Sequence, residues 1–157
     1  MIISENLKKS SIIVRVKSKK RWDLIEEMLD LAIKNKDIKD EDKEIIKKYL
    51  IEREKTMSTG IGKGIAIPHC TTAKITDIII IIAISENGID FNSIDNLPVR
   101  IAILLLVPKN KLSQHIKTLA TLAKMLNDDE LRENLVTLKT PESIIKTIKE
   151  FEKSPKK

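Results

Sequence analysis

The sequence IIIIIAI at residues 78–84 and the sequence VRIAILLLV at residues 99–107 are two short, almost continuous apolar runs. Runs of this length that are rich in branched aliphatic residues predict strands covered on both faces. They are far shorter than the roughly 20 residues that a membrane-spanning helix needs. The segment between them, residues 85–98, contains the Gly, Asn and Pro residues typical of a turn-rich loop. These two strands form the predicted centre of the fold.

Helical patterns surround this centre on both sides. Apolar residues recur at helical spacing before and after the two runs, and Thr140 can cap a last helix that begins at Pro141. Helices on both sides of the strands predict an α/β fold in which a central sheet is covered on two faces. The predicted helices are 19–35, 45–54 and three segments from residue 113 onward, and further short strands are predicted at 11–16 and 65–68.

The composition sets limits on the class of protein. A chain of 157 residues that is 41% hydrophobic fits one domain, which we place at residues 1–152, followed by a frayed basic tail at 153–157. Lys and Arg exceed Asp and Glu by 29 to 23, which suits either a polyanion partner or a lysine-rich solvated surface. The basic residues are interspersed with acids and only 3% of residues are aromatic, so nucleic-acid binding is disfavoured.

The cysteine count and the first residues bear on the compartment. Cys70 is the one cysteine, so an internal disulfide is impossible and no CxxC zinc motif exists. The beginning of the chain, MIISENLKKS, has no signal-peptide core. We expect a soluble protein of the reducing cytoplasm.

The stretch GIGKGIAIPHC, residues 60–70, places three glycines at alternate positions ahead of a histidine. It fits neither nucleotide template, because Met57 occupies the first glycine position of a P-loop and Ile65 the last of a dinucleotide fingerprint. Glycines permit positive φ and close chain approach, while Pro68 removes a hydrogen-bond donor and limits pairing at His69. The strand should therefore end with the His69 imidazole near the surface, either as a functional group or as a solvated end residue.

The second histidine, His115, is in register with Leu119, Leu122 and Leu126 and projects from the apolar face of its helix. Such a residue is most often a core or boundary histidine. It lies, however, in the first helical turn, where free N–H groups and the positive dipole end favour an anion and disfavour imidazolium.

A phosphoryl site follows if the strand end and the helix start meet at one edge of the sheet. His69 and His115 would then surround a phosphoryl group together with Arg53, whose planar fork suits phosphate. The alternative for Arg53 is a cation that favours the end of its helix. A zinc site on the two histidines lacks identifiable further ligands, so we expect no metal.

Three ordered blocks resemble a known family. They are STGIGKGIAIPH at 58–69, preceded by EREK with Arg53, then GIDFNSIDNLPV at 88–99 and LLLVPKNKLSQHIKTLATLAKML at 104–126. The chain resembles the enzyme IIA domain of the fructose–mannitol family of the bacterial phosphoenolpyruvate-dependent sugar phosphotransferase system, which includes nitrogen-regulatory members. The resemblance implies a mixed sheet of about five strands sandwiched between helices.

The resemblance also implies roles. His69 would accept a phosphoryl group from the histidine-containing phosphocarrier protein and pass it to a cysteine of a cognate enzyme IIB, without a cofactor. His115 would orient and assist, and Arg53 would be the active-site arginine. Cys70 points away from its neighbour His69 in an extended chain, so a Cys/His dyad is not expected. The alternative is a regulatory module that acts through phosphorylation-dependent protein binding; a membrane permease would be contacted indirectly at most.

Overall fold

The computed structural model of the protein describes residues 2–153, and within them the chain forms six strands and five α-helices around one mixed sheet. This confirms the predicted α/β class, with one strand more than the five or so expected. The strands are β1 Ile12–Ile13, β2 Gly60–Gly62, β3 Ile65–Ala66, β4 His69–Thr72, β5 Ile79–Ile89 and β6 Val99–Pro108. The helices are α1 Arg21–Lys34, α2 Lys43–Thr56, α3 Leu112–Leu126, α4 Asp129–Thr137 and α5 Pro141–Lys153.

The antiparallel pair of β5 and β6 is the centre of the sheet. β1 pairs with the outer side of β5 in parallel, and β3 and β4 pair one after the other with β6, also in parallel. β2 is antiparallel to β3 and forms the far edge. The long strands thus place β4, and with it His69, opposite Leu105 of β6.

Side chains on β5 and β6 alternate between two apolar layers. Ile81 and Leu104 face the layer covered by α1 and α2, whereas Ile82 and Ile103 face the layer covered by α3, α4 and α5. Because both faces of each strand pack against apolar side chains, the runs cannot alternate apolar and polar residues. This explains the continuous apolar runs in the sequence.

The described helices match the predicted segments closely. Thr140 Oγ1 accepts a hydrogen bond from the N–H of Ser143 at 3.2 Å, and Pro141 is the first residue of α5, as predicted. No helix in the described part of the chain combines the length and apolar character needed to cross a bilayer. Of the frayed tail predicted at 153–157, Lys153 is instead the last residue of α5, and residues 154–157 lie outside the described residues.

The prediction that Pro68 limits strand pairing at His69 was wrong. The strand predicted at 65–68 stops at Ala66, but β4 begins at His69 itself and continues the ladder along β6. Proline lacks only its own N–H, and its carbonyl still accepts a hydrogen bond from the N–H of Leu105 at 2.9 Å. The histidine therefore starts a strand, and its ring is half-buried.

The glycine stretch forms β2 and a tight return to β3. Gly62 and Gly64 have φ of +98° and +78°, the conformations that glycine adopts without strain. At Gly60 the reason is close approach, because an added Cβ would lie 2.2 Å from Oγ of Ser93. The glycines are thus needed to seat the loop that contains Ser93 against the edge of the sheet.

Replacing Gly60 with alanine should therefore destabilise the protein. The new methyl group must push the loop containing Ser93 away, and we expect the free energy of unfolding to fall by about 1–3 kcal/mol, measured by urea denaturation. The double variant with Ser93→Gly removes the nearest atoms and should recover part of the loss. Equal stability of Gly60→Ala and the wild type would contradict the close packing seen here.

Candidate functional site

His69, His115 and Arg53 lie together in one cleft of about 490 Å³, which we call the histidine cleft. Its other lining residues are Tyr49, Glu52, Thr56, Cys70, Thr71 and Lys109. The ring centroids of the two histidines are 5.3 Å apart. The three residues selected from the sequence therefore converge, although they belong to β4, α3 and α2.

The topology explains this convergence. His69 is paired with Leu105, and β6 ends only three residues later at Pro108. A short connection leads to α3, which begins at Leu112 and places His115 in its first turn. The start of β4 and the start of α3 therefore meet at the same edge of the sheet. Arg53 reaches this edge from the last turn of α2, as predicted.

A short hydrogen bond fixes the His69 ring. Its Nδ1 lies 2.6 Å from the carbonyl oxygen of Ile67. A carbonyl can only accept, so Nδ1 carries the proton that is donated. In the neutral ring, Nε2 then holds the free lone pair and is the nucleophilic nitrogen.

Both histidines are disposed to remain neutral. Burial lowers the pKa of His69 below its ordinary 6.5, and the positive charges of Arg53 and His115 lower it further, against an opposing effect of the Ile67 hydrogen bond. Burial, with a contribution from Arg53, also lowers the pKa of His115. A neutral imidazole is the form that can act as a nucleophile.

Arg53 supplies a fixed positive charge. Its Nη1 donates a 2.8 Å hydrogen bond to the carbonyl of Met57, the residue that follows α2. Among residues 2–153, no carboxylate forms an ion pair with this guanidinium. The arginine is therefore held by a neutral partner, and its charge is available to an anion in the cleft.

His115 is half-buried, as expected for a boundary residue on the apolar face of its helix. Its backbone N–H donates to the carbonyl of Lys111 at 3.1 Å, so this N–H is not one of the free groups at the start of α3. Its side-chain Nδ1 is buried and makes no hydrogen bond within the described residues. A ring of this kind can steady a neighbouring group in the cleft while keeping its own neutral form.

Several cleft residues were not selected from the sequence. Tyr49 and Thr56 lie four and three residues from Arg53. Glu52 lies three residues from Tyr49 and four from Thr56, so all four share one face of α2. Helical spacing around Arg53 could have identified them. Lys109 follows β6 directly and adds a second cation, which only the strand pairing brings to the cleft.

Cys70 has no place in nucleophilic chemistry here. Its side chain is buried in the apolar layer beneath α1 and α2, and burial raises the pKa of its thiol to about 12. The thiol therefore stays protonated. In the region from residue 2 to 153, no group of three or more His, Cys, Asp and Glu side chains could hold a metal ion.

The family model for the phosphoenolpyruvate-dependent sugar phosphotransferase system, EIIA 2, matches residues 5–151. Over 153 residues, the chain is 31% identical to the fructose-specific EIIABC component of Bacillus subtilis; the match covers 98% of this chain but only 24% of that longer protein. The chain thus spans about a quarter of the length of this curated relative.

Solved structures share the fold. The nitrogen regulatory protein IIA-Ntr from Neisseria meningitidis superposes with a TM-score of 0.85 at 28% identity, covering 94% of this chain and 99% of that one. Enzyme IIA of the mannitol system, solved in complex with phosphorylated enzyme IIB from Escherichia coli, gives a TM-score of 0.77 at 18% identity, with 92% and 97% covered. The protein belongs to the EIIA type 2 family of the phosphoenolpyruvate-dependent sugar phosphotransferase system.

Proposed function

We propose that the protein is a histidine phosphocarrier that works in the cytoplasm. His69 accepts a phosphoryl group from the phosphorylated histidine-containing phosphocarrier protein and passes it to a cysteine of a cognate enzyme IIB, for sugar uptake. The observation that supports this most strongly is the His69 ring itself. Its Nδ1–H is committed to the Ile67 carbonyl, which leaves Nε2 as the nucleophile in a cleft with a fixed cation.

The transfer needs no net movement of protons. The lone pair of Nε2 attacks phosphorus in line, while the P–N bond of the carrier breaks and its electron pair returns to the ring nitrogen of the carrier. The His69 ring becomes positive as the new P–N bond forms. The Nδ1–H bond to the Ile67 carbonyl strengthens with that charge and stabilises the phosphorylated ring. In the second transfer the cysteine thiolate of enzyme IIB attacks phosphorus and forms a P–S bond. The Nε2–P bond breaks and its electron pair returns to Nε2, so the His69 ring is neutral again.

Positive groups around the cleft stabilise the transferred phosphoryl oxygens. Arg53 can bind two oxygens with its fork, and the positive end of α3 adds a dipole. Lys109 lines the same cleft. The ring centroid of His115 lies 5.3 Å from that of His69, so His115 is close enough to steady the His69 ring or the phosphoryl group. We propose that it does not itself carry the phosphoryl group.

Exposed apolar side chains next to the cleft provide a surface for protein partners. Leu112 and Ile116 flank His115 in α3 and are 60% and 62% exposed, and Met57, beside Arg53, is 70% exposed. Large apolar side chains left in solvent beside a reactive group are typical of a docking surface. The IIA–IIB complex of the mannitol system supports enzyme IIB as one such partner.

A regulatory role is the second candidate. The likeness to a nitrogen regulatory protein, with a TM-score of 0.85 at 28% identity, supports it. In that role the phosphorylation of His69 would control binding to other proteins. If the protein binds a cognate enzyme IIB that is encoded in the same genome, the result supports transport. If no enzyme IIB accepts the phosphoryl group, the result supports regulation.

His69→Ala should abolish phosphoryl uptake, because it removes the only nitrogen proposed to accept the group. The measurement is 32P transfer from phosphoenolpyruvate through enzyme I and the phosphocarrier, followed by peptide mapping. In the wild type we expect an acid-labile, base-stable phosphate within residues 60–74. Cys70→Ala is the matched control and should label normally, since its buried thiol takes no part. Normal labelling of His69→Ala would refute the assignment.

His115→Ala should weaken the first transfer less than the second, because loss of orientation leaves the nucleophile in place. Rates of 32P uptake from the phosphocarrier and of discharge to enzyme IIB can be followed separately by rapid quench. Unchanged circular dichroism would show that the variant is folded. Complete and equal loss of both steps would be incompatible with an orienting role.

The pKa of His69 should lie below 6.5 in the folded protein. Uptake should therefore persist as the pH falls below 6.5 and decline only as it passes the lower pKa of the folded state. Over the same window the unfolded chain binds protons that the folded chain does not, so the free energy of unfolding should decrease as the pH falls from 6.5. Titration of the ring protons by NMR gives the pKa directly.

Burial is the main cause of this shift, and two variants test the additional contribution of Arg53. Arg53→Met removes a nearby cation and should raise the His69 pKa toward 6.5. Lys48→Met removes an exposed cation from the same helix outside the cleft and should leave it unchanged. A wild-type pKa at or above 6.5 would overturn the neutral resting state.

A further inference from the structure

Glu54, the residue after Arg53 in α2, has a carboxylate that is almost completely buried, at 1% exposure. It accepts a 2.8 Å hydrogen bond from the backbone N–H of Thr59 and a second one from the Thr59 hydroxyl. The guanidinium of Arg21 lies 3.6 Å from it. A buried charge is costly unless it is paired and hydrogen-bonded. Here Arg21 of α1 pairs with the carboxylate, and both hydrogen bonds hold Thr59 in the segment that follows α2.

From Thr59 the hydrogen bonds continue to His69. The Thr59 carbonyl accepts the N–H of Ile67 at 3.1 Å. The Ile67 carbonyl in turn accepts Nδ1–H of His69 at 2.6 Å. The buried carboxylate is therefore connected to the reactive ring through Thr59 and one strand residue, and each link is a hydrogen bond from an N–H.

The same segment also holds Arg53. The guanidinium of Arg53 donates to the carbonyl of Met57, two residues before Thr59. Between them, the hydroxyl of Ser58 donates to the carbonyl of Phe91, which also accepts a 3.0 Å hydrogen bond from Arg21. Residues 57–59 are thus fixed from three sides, and they present one carbonyl to Arg53 and another to Ile67.

On the basis of the function proposed above, we propose that Glu54 is a positioning residue of the phosphoryl-transfer site. By fixing residues 57–59, it sets the place of the Arg53 guanidinium and, through Ile67, the orientation and tautomer of the His69 ring. Glu54 does not line the cleft and touches neither the phosphoryl group nor the histidine. Its action is indirect, through backbone carbonyls.

A purely structural Glu54 would affect unfolding but not the state of the His69 ring, and the two can be separated. In Glu54→Met the ring should lose its strict Nδ1–H tautomer, which the 15N chemical shifts of the imidazole report. The His69 pKa should rise as Arg53 moves away. The variant replaces none of the other titratable residues that line the cleft, which are Tyr49, Glu52, Cys70, Lys109 and His115. At a saturating concentration of phosphocarrier, the transfer rate should fall at least about tenfold, with KM changed by less than about twofold.

Two further variants sharpen the comparison. Glu54→Gln keeps the shape of the side chain and an oxygen that can accept a hydrogen bond from the Thr59 N–H. The His69 tautomer, the His69 pKa and the transfer rate of this variant should therefore lie between those of the wild type and Glu54→Met. Glu44→Met makes the same replacement at an exposed site of α2 and should match the wild type in all three.

A folded Glu54→Met with wild-type imidazole shifts and a wild-type transfer rate would overturn the proposal. If Glu54→Met does not fold, Thr59→Val decides, because it removes the hydroxyl bond to Glu54 but leaves the Thr59 N–H. Shifted His69 ring signals in Thr59→Val support positioning, and unshifted signals overturn it. The ring spectra are recorded on unphosphorylated protein, so they test Glu54 even if the wild type accepts no phosphoryl group and the proposed function fails.

Discussion

The burial of β5 and β6 on both faces is the constraint on which the rest of the structure depends. Their side chains fill two apolar layers, one under α1 and α2 and the other under α3, α4 and α5. A strand pair that is covered twice requires helices on both faces, which this chain supplies from before and after the pair, and it leaves only its outer sides for further strands. β1 occupies one outer side, and β3 and β4 share the other.

This sharing creates the site. β6 is long enough to pair with β3 and then with β4, so the chain passes through Ile67 and Pro68 while it remains beside the same strand. Ile67 is therefore in place to offer its carbonyl to His69, which restarts the ladder. At the same edge β6 ends and α3 begins, which brings the second histidine to the first. The proximity of the two histidines is a consequence of the sheet register.

The electrostatics of the cleft follow from the same arrangement. A half-buried imidazole next to a guanidinium resists protonation, and the carbonyl at Nδ1 selects one tautomer. At the segment after α2, a buried carboxylate, a glycine-rich strand and the loop of Phe91 are hydrogen-bonded or packed together. Contacts that stabilise the fold therefore lie directly beside the histidine cleft. The glycines, which fit neither nucleotide-binding template in the sequence, serve this packing.

Much of the fold was predictable from the sequence alone, because apolar runs and helical spacing report burial, a local property of each segment. The α/β class, the helices and the apolar face that bears His115 follow from such patterns; His69 and Arg53 were candidates from their residue types and positions, and the family resemblance added their expected roles. The restart of pairing after Pro68 and the strand formed by glycines were not predictable, because both depend on which carbonyl of a distant strand is opposite. The buried Glu54, the Nδ1–H tautomer of His69 and the place of Lys109 were likewise decided only by tertiary structure, since each is a contact between residues whose spacing in the chain carries no periodic signal.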